Sequence, residues 1–249
     1  MNKKNIFFKQ SLVFCLTLLF TMSVCSILAQ NNYPTDADAV LMVSQMKARI
    51  PSVAQETTKY AAICAIYRYA GMKDSTDLYW DKISINNSQC ADVPIANVYT
   101  TNDSLVFINS VFTWDFNGIV NISSDGTRSI TEAVSSYSTR KPLYNINNID
   151  LSTIGTTITK SNGFVFNHNP ISADSIVYTV NSGSGFAKKK VNNYSTGITF
   201  TAYELSLIQL TGNGSVLISV YNTMPSTINS KKYYFINNSM AIVGPLTIQ

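Results

Sequence analysis

Ile198, Phe200 and Ala202 in GITFTAY, and Val216, Ile218 and Val220 in GSVLISVYN, fall at every second position. A period of two is the signature of a strand with one buried face, and no sustained 3.6-residue pattern competes with it. The same chemistry recurs in TTKYAAICAIYRYA, DKISINN, DSLVFINSVFTWDF, GIVNIS, GTTIT, GFVFN, DSIVYTVN and KKYYFINN, each set between turn signals. Charged residues make up only 13% of the chain, about half the usual share, while Asn, Ser and Gly supply the punctuation. An all-β protein follows.

Asp38 to Arg49, within DAVLMVSQMKAR, is the one stretch that invites a helix, with caps of the right type. Its Val and Met content and the following Pro51 assign it to a strand. Near Arg140, SSYSTRKPLYNINN gathers Ser, Thr, Pro and Asn with no apolar pattern, which marks a boundary. Two tandem antiparallel β-sandwich domains are expected, over 30–140 and 141–249, each of ordinary sandwich size. Neither half contains a glycine-rich phosphate loop or a strand-helix alternation, which argues against a nucleotide-binding α/β fold.

Residues 1–29 read as an export signal. Lys3, Lys4 and Lys9 precede the apolar run SLVFCLTLLFTMSV, and SILAQ places Ala29 before a cleavage site. A lipid anchor at Cys25 is disfavoured, because Val24 stands where a lipobox takes a small residue. The run is shorter than the ~20 residues of a membrane-spanning helix, and no second candidate follows. An extracellular, periplasmic or outer-membrane-associated protein is expected.

Loss of those three lysines takes the formal charge from +4 to +1, too little for a nucleic-acid partner. The basic run Lys188, Lys189 and Lys190 reads as a strand edge or hairpin tip, where lysines discourage edge pairing. Cys64 and Cys90 survive cleavage and permit a disulfide, though Cys64 in an apolar strand serves equally as a small hydrophobe. Neither thiol has the spacing of a zinc site, and the single histidine, His168, lies in the turn-like FNHNP. Calcium at Asp36 and Asp38, or near Asp115 and Asp125, lacks the six to eight oxygen ligands required. No metal or cofactor is expected.

In GITFTAYELSLIQLTGNGSVLISVYN, Leu205 and Ile208 stand three apart, as one helical turn would place them inward, and Gly212 and Gly214 suit a chain reversal. Glu204 then belongs in the first turn of that helix, where a carboxylate favours the exposed N–H groups. The stretch resembles the crossover between the fifth and sixth strands of immunoglobulin-like and fibronectin type III domains. That resemblance covers roughly 142–249 and implies that the second sandwich is immunoglobulin-like, although this half has no Cys pair and no Trp. The whole mature chain is similar to a loosely defined set of secreted Bacteroidetes proteins without assigned activity. The pieces that carry this similarity are TDADAVLMV, WDKISINN, SLVFINSVFTWDFNG, ADSIVYTVN, ITFTAYELSLI and KKYYFINNS. It implies an envelope or extracellular β-sandwich and transfers no catalytic residue.

Enzymatic readings lack a constellation. No Gly-x-Ser-x-Gly elbow exists for a serine hydrolase. Paired carboxylates for a glycosidase are available as Asp115 with Asp125, or Asp77 with Asp81, but aspartates between strands ordinarily bond turn backbone. A non-catalytic structural or interaction role is the expectation, with an envelope protein or extracellular glycan as partner. The glycan alternative rests on Trp80 and its neighbour Tyr79 in DLYWDK, whereas Trp114, amid Val111, Phe112 and Phe116, reads as core. Finally, Pro245 in the last apolar strand, Ala241 to Ile248, predicts a sheet edge, a chain tied down to Gln249, and a monomer.

Overall fold

The computed structural model describes residues 39–65, 78–85, 88–89, 91–93, 98–100, 113–122, 128–132, 137–138, 143–228 and 231–249. Among them β structure dominates, as the alternation requires. A nine-stranded sheet runs β12 (Phe186–Phe200), β11 (Phe164–Asn181), β13 (Thr211–Ile228), β14 (Lys231–Ile248), β1 (Ala39–Ile50), β2 (Gln55–Ala65), β6 (Val98–Thr100) and β5 (Ala91–Val93), with β10 (Thr157–Ile158) added on β14. A five-stranded sheet contains β4 (Ser88–Gln89), β3 (Leu78–Ile85), β7 (Thr113–Ile122) and β8 (Arg128–Glu132), with β9 (Tyr137–Ser138) on β7.

The larger sheet is mixed, which corrects the purely antiparallel expectation. β1 pairs with β14 in parallel from Ala39 opposite Tyr233 to Arg49 opposite Val243. One hydrogen-bonded sheet thus draws strands from both sides of the composition break near Arg140. The pairing also explains AVLMVSQMKARI. With β14 on one side and β2 on the other, β1 is interior, and every residue from Val40 to Ala48 is buried. A strand covered on both faces reads as a continuous apolar run, which is how a helix came to compete with it in the sequence.

β14 is likewise interior, between β13 and β1, so the edge expected from Pro245 is not observed. Its last pair with β1 is at Val243, and its register with β13 shifts between Gly214/Leu246 and Val216/Val243. Pro245 therefore falls in an irregularity just beyond the partner strand, where no ladder N–H is called for. The end is nevertheless tied down: Gln249 N–H donates to the Ile158 carbonyl (3.0 Å), and Lys160 N–H to that of Gln249 (2.7 Å). Gly212 and Gly214 also lie inside β13 rather than in a turn. A Cβ at Gly214 would stand 2.5 Å from Ile248 Cδ1, so a side chain at this bulge would have to displace Ile248.

One apolar cluster of the core lies on one face of this sheet. Across the ladder, Lys47, Ala241, Ile218, Tyr178 and Lys189 form one row, and Arg49, Val243, Val216, Val180 and Ala187 the next. The apolar centre of that face is covered by the segment 143–158, which buries Ile146, Ile149, Leu151, Ile154 and Ile158. The segment has little regular structure, so its carbonyls need other donors. Same-face side chains of β1 supply them: Gln45 donates to the Tyr144 carbonyl, Lys47 to Ile149 (3.1 Å), and Arg49 to Leu151 (2.8 Å) and Ile154 (3.0 Å).

The β11–β12 hairpin closes the other side of the core by doubling back. Lys189 Nζ lies 2.7 Å from the Thr199 carbonyl, and His168 Nε2 2.6 Å from the Tyr178 hydroxyl. Each pair is ten residues apart on one strand, about 33 Å if extended. Two register shifts, between Asn167/Ile171 and Ala173/Ile176, supply the bend. Phe166 and Phe200 thereby join the same core as Val216 and Ile218. The connection from β12 to β13 corrects the expected passage between two sheets: both strands flank β11 within one sheet. Its helix, α1 (Ala202–Ser206), buries Leu205, and the following turn buries Ile208, closing the core as their spacing predicts.

Candidate functional site

The bend in β11 brings together a polar chain that the sequence hides. His168, expected in a turn, lies within the strand beside its bulge, half-buried between Phe166 and Tyr178. Its Nδ1 is 2.6 Å from the Asn169 carbonyl, its Nε2 2.6 Å from the Tyr178 hydroxyl, and that hydroxyl 2.8 Å from Ser195 Oγ. A carbonyl only accepts, so Nδ1 carries a proton. With the ring neutral, Nε2 accepts from Tyr178, and Tyr178 accepts from Ser195. Protonation reverses the chain: Nε2–H donates to Tyr178, Tyr178 to Ser195, and Ser195 to the Gly197 carbonyl at 2.9 Å.

Burial sets the electrostatics. It pushes the imidazole below its ordinary value, against the opposing bond to the Asn169 carbonyl, and raises the Tyr178 phenol. Tyr178 is 1% exposed and Ser195 6%. Either direction of the chain ends on backbone, and the two hydroxyls have no opening toward a substrate. The arrangement is a cross-brace between the two arms of the hairpin, built without a nucleophile that solvent can reach.

Glu204 has a complete local account. Thr201 N–H donates to Glu204 Oε2 at 2.8 Å and Glu204 N–H to Thr201 Oγ1 at 3.2 Å, the two halves of a capping box. Lys189 Nζ stands 2.8 Å from Oε1. That lysine first, then the Thr201 amide, draws the carboxyl down to about 2. The lysine run lies on β12, an edge strand as expected, with Lys189 alternating to the core-side face and Lys188 and Lys190 to the other.

Most other sequence candidates are fixed only in backbone. Tyr79 and Trp80 sit on β3 opposite Val120 and Ile119 of β7. Asp81 lies on β3, and Asp115 on β7 opposite Ser84, in strand rather than turn. Cys64 lies on β2 between Leu41 and Tyr99. Cys90, Asp36, Asp38, Asp77 and Asp125, together with residues 1–38, fall outside the described residues. Among the described residues, no group of three or more His, Cys, Asp or Glu could hold a metal, and no helix is long and apolar enough to cross a membrane.

The structure also shows a surface that sequence reading passed over. Tyr203 is 76% exposed, Leu207 72%, Leu210 68% and Phe186 55%. The spacing i, i+4 from Tyr203 to Leu207 was the available signal, masked by the inward pair Leu205 and Ile208; Leu210 lies beyond the helix, which ends at Ser206. Searches of protein families, of characterised proteins and of solved structures find nothing that this chain matches.

Proposed function

We propose that this chain is a non-catalytic, exported β-protein of the cell envelope or extracellular space that acts through its surface as a structural or interaction protein, chiefly as a monomer. One observation carries the reading: the reactive groups brought together in the fold are engaged by the fold itself. His168 is held at both ring nitrogens, and Glu204 is held by its cap and by Lys189. Export rests on the sequence of residues 1–29 and on the similarity to secreted Bacteroidetes proteins.

The tandem-sandwich arrangement, with an immunoglobulin-like unit over 141–249, draws on the strand content of that half. The β1–β14 pairing instead supports a body whose principal sheet uses both halves. Glycan recognition through Trp80 is the second reading, favoured by its place on β3, where pairing at that position is, among the described residues, with β7 alone. Expression of the full chain in a bacterial host with cell fractionation tests the main reading. It predicts an exported product starting at Gln30; a cytoplasmic, uncleaved product contradicts it. Glycan-array binding that is lost on Trp80→Ala would transfer the assignment to the second reading.

A further inference from the structure

No further inference is drawn: the strongest candidate, the exposed surface patch of Tyr203, Leu207 and Leu210 on α1 and the segment after it, carries none, because nothing in the structure shows what covers it.

Discussion

Lys189 Nζ and Glu204 Oε1 stand 2.8 Å apart, joining the doubled-back strand β12 to the first turn of α1. The same lysine reaches the Thr199 carbonyl and lies 5.5 Å from the Phe200 ring centroid. One side chain therefore holds the bend of the strand, the helix cap and the end of the core together. The Glu204 carboxyl is drawn from 4.5 to about 2 in the fold. A depressed carboxyl stabilises above its unfolded value, and that contribution is lost as pH falls through the folded one. Relative to Glu204→Gln, the wild type should therefore melt higher above about pH 4.5, and the difference should shrink toward pH 2. Thermal melts followed by circular dichroism read this directly; a difference independent of pH would remove Glu204 from the account.

Tyr178→Phe should destabilise the fold by about 1–3 kcal/mol, because His168 Nε2 and Ser195 Oγ each lose a buried partner. His168 also gives a pH signature. Its folded value lies below the ordinary 6.5, so the fold favours the neutral ring. Stability from that source is present above about 6.5 and lost as pH falls through the lower folded value. Urea unfolding at pH 7.5 and pH 5 should show the loss in wild type and a reduced loss in His168→Gln. Equal pH dependence in the two proteins would mean the histidine is not held as described.

Gly197→Ala should cost about 1–3 kcal/mol by overpacking. A Cβ there would stand 2.5 Å from the Phe166 carbonyl oxygen and 3.0 Å from Asn167 Cα, and backbone cannot yield as a side-chain tip can. Gly155, with nothing within 4 Å, is the control whose alanine variant should unfold close to wild type. Two equally stable variants would contradict the close approach of the hairpin arms.

Arg49→Met should loosen the cover segment. The substitution keeps an apolar stem but leaves the Leu151 and Ile154 carbonyls without the guanidinium. Brief digestion with a non-specific protease should then cut faster within 152–157, where every side chain but that of Ile154 is exposed. An unchanged digestion pattern would show that apolar packing alone holds the segment.

Strand identity was legible because alternation is local. Val216, Ile218 and Val220 mark one face of β13, and Leu205 with Ile208 mark the inward turn, as their spacing implies. Strand length was not, since GFVFN and DSIVYTVN are one strand that bends through two bulges, and FNHNP between them reads as a turn. Pairing was not legible either. Nothing in AVLMVSQMKARI names β14 as its partner nearly two hundred positions away, although its leading run AVLMV, apolar on both faces, is the mark of an interior strand. For the same reason the His168–Tyr178–Ser195 chain could not be read from spacing. Its members meet only after the hairpin doubles back. Gln45, Lys47 and Arg49, recurring at every second position of β1, were the visible hint that a face of that strand had carbonyls to satisfy.

The central claim is that β1 and β14, from opposite ends of the described chain, form the middle of a single sheet on which the core and the bent hairpin depend. Native-state hydrogen exchange tests it most directly, because paired interior strands should open together. The account predicts that amides within Val40–Ala48 and within Phe235–Val243 are protected to the same degree and are lost in one cooperative step as denaturant is added. Fast exchange of Val40–Ala48 beside a protected Phe235–Val243 would contradict it.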